Sequence, residues 1–317
     1  MIYRAIGGLL AAWLVALPAW SQSPWGEKAL GVLVIAESGG AEWSAFVRDL
    51  RKSLGNQYPL ETSVGPVAPR AMQRAIDRLQ AAKIRKIVVV PLHLHSQSPE
   101  IEQIRYILGL RKYPSEAFLD AWGMRGRVVP RAKLKVPLVM SDALDDAPLA
   151  AEVLLSRARE MSREPEGESV VIIGNGAPAD EDNEIVERHL GSLARKIEAE
   201  GLFRTVRGVA LRPQTKDDPR QAAESERRLQ ALIRNLSRVS RVIVVPHLLA
   251  RDGTERAWLK KLNSLFYRWR GKALLPDARL VRWVRDRVDA SRDLPDMVRF
   301  KDAGQGLPPK PRKRIVQ

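Results

Sequence analysis

The sequence predicts an α/β protein of two lobes, each a small parallel sheet flanked by helices on both faces. Two observations predict it. Short apolar β-branched runs alternate with amphipathic stretches, and strand–helix alternation of that kind closes into a parallel sheet covered on both sides. The whole pattern then occurs a second time from residue 168 onward, as expected of a duplicated unit. With 317 residues, 45% hydrophobic and 28% charged, the chain has the length of about two ordinary domains and enough apolar surface to give each a core.

Residues 1–21 stand apart from this pattern. Arg4 supplies a positive end, IGGLLAAWLVALPAW (6–20) is apolar, and Ala19 and Ser21 put small residues three and one positions before Gln22. This is the layout of a signal peptide cleaved after Ser21. The run is short for a membrane span, which needs about 20 residues, and no later stretch is long enough to cross a bilayer. The expectation is a periplasmic or secreted protein with no membrane span after signal cleavage.

LGVLVIA (30–36) reads as a buried strand, and AEWSAFVRDLRKSL (41–54) as a helix with Phe46, Val47, Leu50 and Leu54 on one face. LETSV (60–64) is a second strand, followed by a helix over 68–84 with Met72, Ile76 and Leu79 inward. KIVVV (86–90) is a third strand, apolar enough to be covered on both faces. A helix over 98–110 opens at Ser98 with Pro99 at its first position and stops near Gly109. VPLVM (136–140) is a fourth strand, and Ser141 or Asp142 precedes a helix over 148–161.

The run Glu164-Pro165-Glu166-Gly167-Glu168 reads as a linker between an N-terminal domain (22–163) and a C-terminal domain (169–300). In the second domain, residues 168–197 repeat strand, glycine turn and helix; 205–211 is a strand and 218–236 a helix. RVIVVPHLLARDG (241–253) mirrors RKIVVVPLHLHSQS (85–98), with Pro246 opposite Pro91 and Asn175 opposite Glu37. The tail from Lys301, rich in Pro, Gly and basic residues, is expected to lack fixed structure.

The chain has no cysteine, which removes disulfides, thiolate metal sites and a Cys nucleophile. Any metal must sit on His, Asp, Glu or water. The net charge of +16 and pI near 10.4 attract polyanions or simply coat solvated helix faces. Only four histidines are present, and His93 and His95 follow the third strand. Ligands of parallel sheets bind beyond the carboxyl ends of the strands, so the loops after residues 36, 90 and 140 carry the functional expectation.

Both halves resemble the small tetrapyrrole chelatases, the sirohydrochlorin cobaltochelatase and ferrochelatase family. VLVIAESGG (32–40) is similar to an opening strand that in the family ends in His-Gly-Ser or His-Gly-Pro. KIVVVPLHLHSQSPEIEQI (86–104) resembles its third strand and a loop with a second histidine, and SDALDDAPLAAEVLLSRARE (141–160) its fourth-strand loop and helix. In the second half GNGAPADEDN (174–183), VALRPQTKDDP (209–219), VIVVPHLLARDG (242–253) and KALLPDARLVRWV (272–284) resemble an exported or long-form branch. The resemblance implies two chelatase-like lobes, a tetrapyrrole partner, and a divalent metal ion (cobalt, iron or nickel) as substrate rather than fixed cofactor. The sequence departs from the family at its metal-handling positions. The first-strand histidine is Glu37 here and Asn175 in the second half, and the loop histidine falls at about Gln97 or Pro99.

Inserting a metal into a tetrapyrrole requires a ligand that hands over the ion and a base for two pyrrole protons; imidazole and carboxylate do both. If the chain stays extended past Pro91, His93 and His95 share a face. With Glu37 they make a His-His-carboxylate set, to which Glu100 adds a fourth candidate; Glu37 and His95 are the catalytic candidates. The competing reading makes His93 a core histidine, His95 an exposed loop residue and Glu37 a backbone cap. His247 reads as a core residue, His189 as a surface residue beside Glu187 and Arg188, and Asp180, Glu181 and Asp182 as an acidic first helical turn. A substrate with many carboxylates implies a basic cleft between the halves, with Arg105 and Arg212 as substrate-binding candidates.

Two functional readings stay open: an exported chelatase-like enzyme, and a catalytically decayed periplasmic metal- or tetrapyrrole-binding protein of the same fold. A third, a basic protein in weak contact with anionic surfaces, has no recognition-helix signature for a specific nucleic acid.

Overall fold

The computed structural model describes residues 30–308 apart from Asn56 and residues 214–218. The expected signal peptide and the last part of the basic tail lie outside the described residues. In chain order the first half contains β1 (Leu30–Ala36), α1 (Trp43–Leu54), β2 (Leu60–Val64), α2 (Pro69–Ala81), β3 (Lys86–Leu92), α3 (Pro99–Ile107), α4 (Glu116–Ala121), β4 (Val129–Pro130), β5 (Leu138–Met140) and α5 (Pro148–Arg159). The second half contains β6 (Glu168–Asn175), α6 (Asp180–Glu198), β7 (Thr205–Leu211), α7 (Pro219–Ser237), β8 (Arg241–His247), α8 (Thr254–Lys261), α9 (Ala278–Ser291) and β9 (Gly304–Gln305). Among the described residues no helix is long and apolar enough to cross a membrane.

Two parallel sheets result, of order β2-β1-β3-β5 and β7-β6-β8. The duplication is visible in register. Ile35 pairs with Pro91 in the first sheet, and Ile173 with Pro246 in the second. Glu37 and Asn175 therefore stand at equivalent strand ends, as the sequence predicts.

Side chains of a strand alternate between faces, and each sheet buries both. Val32, Val34, Val88 and Val90 face a central core that also holds Val170, Ile172, Ile243 and Val245 of the second sheet. Leu33, Ile35, Ile87 and Val89 face an outer core with α2 and α3. Val171, Ile173, Val242 and Val244 face another with α7 and α8. The central core is filled by α1, α5, α6 and α9, so the layers run helix, sheet, helix, sheet, helix.

The central helices cross between the halves. α5, from the first half of the sequence, packs on α6 and β8, whereas α9, from the second half, packs on α1 and β3. Each sheet thus lends a helix to the other. Arg157 of α5 fastens this exchange. Its buried guanidinium donates to the carbonyls of Ala273 (3.1 Å) and Leu274 (3.2 Å) and lies 3.4 Å from Asp277, whose carboxylate caps α9 by accepting from Arg279 N.

The tail expectation is corrected at its beginning. Val129 and Pro130 pair antiparallel with Gln305 and Gly304. The buried Tyr106 hydroxyl lies 2.9 Å from the Val129 carbonyl and 2.7 Å from that of Gln305. Arg131 stacks over the Tyr106 and Phe300 rings and pairs with Asp302. Gly304 has φ +94°, and a Cβ there would meet the Val129 carbonyl oxygen at 2.3 Å. Apolar and hydrogen-bonding partners far away in sequence hold a segment whose composition alone reads as unstructured.

Removing Arg157 leaves several buried acceptors without a donor. Arg157→Ala is expected to lower unfolding free energy by about 3 kcal/mol, against about 0.5 kcal/mol or less for Arg282→Ala at an exposed pair. Urea denaturation of both variants measures this, and equal effects would contradict the role given to Arg157.

Candidate metal centre and cleft

All four histidines of the chain converge where the two lobes meet. His95 Nδ1 lies 3.4 Å from His189 Nδ1, with ring centres 5.7 Å apart. The His247 and His95 rings lie 5.8 Å apart with their planes inclined by 64°. His93 Nδ1 lies 3.6 Å from a carboxylate oxygen of Glu37, and His189 Nδ1 lies 3.6 Å from one of Asp145. Three of these residues, His95, Asp145 and His189, offer ligand atoms that all fall within 4.8 Å of one another.

Local hydrogen bonds explain the placement. The chain leaves β3 at His93, and the loop after β5 zips along it: Leu144 N donates to His93 O and Asp145 N to Leu94 O, both at 3.0 Å. Ser96 closes the zipper. Its backbone N–H and hydroxyl donate to the Asp145 carboxylate at 2.7 and 2.6 Å, and its Oγ accepts from Ala143 N. Asp145 has φ +46°, a left-handed conformation that Asp tolerates better than most residues. The backbone turn and the Ser96 bonds together aim this carboxylate at His189.

His189 arrives from the other lobe on α6. Asp182, Ile185, Val186 and His189 recur at three- and four-residue spacing, so they share one helical face; the first three line a cleft between the lobes. Asp146 secures α6 against the loop by accepting from Ser192 Oγ and Lys196 Nζ, each at 2.6 Å. The Lys196 and Ser192 bonds hold the Asp146 carboxyl down at about 2.

The spacing suits a metal ion. Imidazole nitrogens about 2.1 Å from a tetrahedral ion stand about 3.4 Å apart, and the His95–His189 nitrogens are 3.4 Å apart. Burial pushes His95 down to about 4; the nearby His189 ring adds to that push, and Glu37 and Asp145 oppose it. Burial, then His95 and His189, pushes His247 to about 3. Both rings are therefore neutral in the neutral range, which leaves lone pairs free to ligate.

The cleft beside this group has a volume of ≈ 500 Å³. Leu94, Phe118, Ile185 and Val186 form apolar walls, and Glu37, Glu100 and Asp182 supply carboxylates. Burial, followed by Glu102 and Glu181, raises Asp182 above its ordinary value. Against the expected basic lining, no arginine or lysine is among the described residues that line this cleft. Arg105 instead donates to Ser96 O at 3.2 Å and lies 3.8 Å from Asp142. Arg212 is bound to Asp180 and the Pro178 carbonyl within its own lobe. Arg105, on α3, and Arg212, just after β7, are thus each engaged by groups of neighbouring loops.

The expected metal set divides. Glu37 meets His93, while His95 meets Asp145 and His189. Glu100 lines the cleft outside the three-residue group. His95 is buried, 9% exposed, rather than exposed in its loop, and neither ring nitrogen of buried His93 meets a backbone carbonyl. The surface reading of His189 is corrected as well, since its side chain is only 19% exposed. The sequence signal for it was the 182-185-189 face of α6; the signal for Asp145 was the acid-rich loop Asp142–Asp146 after the fourth strand.

No protein-family model and no curated protein sequence matches the chain. Solved structures do. SirB from Bacillus subtilis with Fe3+ superposes at a TM-score of 0.53 with 15% identity, covering 84% of this chain and 96% of that one. The sirohydrochlorin chelatase SirB from Bacillus subtilis subspecies spizizenii in complex with cobalt gives 0.54 with 14% identity and the same coverages, 84% and 96%. Two parallel sheets flanked by helices, in the order and register described above, make this chain an α/β protein with the sirohydrochlorin chelatase fold.

Proposed function

We propose that the cleft takes up a divalent transition-metal ion on His95, Asp145 and His189 and passes it to a sirohydrochlorin-type tetrapyrrole. The observation that carries this reading is the three-ligand group, drawn from both lobes, at the edge of a cleft with apolar walls. Two imidazoles and a carboxylate suit cobalt, iron, nickel or zinc. Ser96 orients the carboxylate ligand, the kind of outer hydrogen bond that tunes metal sites. The apolar walls suit the faces of a macrocycle, and Glu37, backed by His93, stands beside the ligands to accept pyrrole N–H protons as the ion enters the ring. The Ala19-Trp20-Ser21 motif supports export of this chain, in which case it would meet its ion outside the cytoplasm.

A second reading has its own support. Glu37, Glu100 and Asp182 repel a polycarboxylate and attract a cation, which favours a protein that binds the ion without turning over a tetrapyrrole. Anaerobic mixing of the mature protein with Co²⁺ and sirohydrochlorin separates the two. Cobalt insertion faster than the protein-free rate, reduced at least tenfold in Glu37→Gln, supports the chelatase reading; tight cobalt binding without insertion supports the second.

In either case Asp145→Asn and His189→Gln are expected to weaken cobalt binding by about 10- to 100-fold, read by calorimetric titration; unchanged affinity in both would remove the ion from this site. N-terminal sequencing of the native protein tests export: a start at Gln22 is expected, and a retained Met1 contradicts it.

A further inference from the structure

His247 belongs to none of the contacts that make the three-ligand group, yet no imidazole of the chain is more deeply buried: its exposure is 0%. The register that pairs Gly174 with His247 pairs Ala36 with Leu92. The first lobe thus fills the equivalent place with leucine. An imidazole there brings two ring nitrogens into the central core, and neither has a hydrogen-bond partner. Burying polar atoms in that condition destabilises the fold, because they lose their hydrogen bonds to water and gain none. Core packing explains Leu92; it does not explain His247.

The neighbouring ring has a matching need. To hold an ion through Nδ1, His95 must carry its proton on Nε2. Ligating histidines nearly always donate that second N–H to an acceptor, which fixes the tautomer, orients the ring and strengthens the donor nitrogen. His95 Nε2 is buried and without a partner. The His247 ring lies beside that of His95, with centres 5.8 Å apart and planes inclined by 64°, and both of its nitrogens are buried and unpaired as well. Hydrogen bonds of this kind are often long before a ligand arrives and tighten when it binds.

We propose that His247 is a positioning residue for the metal site: it accepts the Nε2–H of His95 and so aims His95 Nδ1 at the ion. The inference rests on the metal-binding reading above. It gives the second lobe two parts in the site, His189 as a ligand and His247 behind the first lobe's ligand. The lobe that has lost the family histidines is then required for affinity rather than retained as packing.

Two substitutions test it in the full mature chain. His247→Leu restores the first lobe's residue and removes the acceptor; His247→Gln keeps an acceptor of similar reach. Co²⁺ is titrated into each, with affinity from calorimetry, the visible ligand-field bands recorded and Tm measured without metal. Failure of the wild-type protein to bind cobalt would sink the metal reading and this inference with it. Given wild-type binding, His247→Leu is expected to weaken affinity by about 10- to 100-fold, and His247→Gln to stay within about threefold of wild type with its bands preserved. The metal-free Tm of His247→Leu is expected at or above wild type, because an apolar side chain replaces unpaired nitrogens. Wild-type affinity in His247→Leu, or equal losses in both variants, would overturn the positioning role. Should His247→Leu not fold, His247→Met supplies the apolar comparison.

Discussion

The shared central core is the constraint on which the rest depends. Two parallel sheets each present one apolar face to the same four helices, α1, α5, α6 and α9. Because α5 and α9 are exchanged between the halves, neither sheet completes its inner face with its own helices alone. Burial of this much apolar surface is the dominant stabilising term in folding, and here it fixes the lobes against each other. That fixed relation brings His189 and His247, from one lobe, to His95 and Asp145 of the other.

Polar contacts then set the fine geometry that packing cannot. Ser96 spends its hydroxyl and its backbone N–H on Asp145, and the paired loops hold His95 over the second lobe. His95, kept neutral by burial, sits beside a carboxylate held by two hydrogen bonds. Such an arrangement favours a cation over a proton, because the ion is attracted by the carboxylate and meets lone pairs already free of protons. The acidic rim of Glu37, Glu100 and Asp182 extends the same preference into the cleft. Carboxylates and no described arginine or lysine line the cleft of this strongly basic chain, so net charge was a poor guide to the chemistry of the site.

Much of the fold was legible because period-two and period-3.6 patterns report burial directly. Valine-rich β1, β3, β6 and β8 are covered on both faces, and the doubled proline register located Glu37 and Asn175. The short helix α4, anchored to α3 through Gln103 and Glu102, and the strap ending in β9, held by Tyr106 and Arg131, were not legible, since partners from other elements hold them in place. The site was half legible. Loop position pointed to His93, His95 and Glu37, but His189 was judged by its charged neighbours in sequence rather than by the helical face it shares with Asp182 and Ile185. Asp145 owes its direction to a left-handed backbone and to Ser96, neither of which leaves a pattern in composition. Arg105 and Arg212 had the right chemistry for a polycarboxylate, but nearby loop groups had already engaged them.

X-ray absorption at the cobalt edge of the metal-loaded protein reads the ligands of the ion at the junction of the lobes. A four-coordinate ion with light-atom ligands about 2.0–2.1 Å away is expected, with outer-shell scattering from two imidazoles that falls to one when His189 is replaced by glutamine. A six-coordinate shell of oxygen ligands with no imidazole scattering would contradict this site.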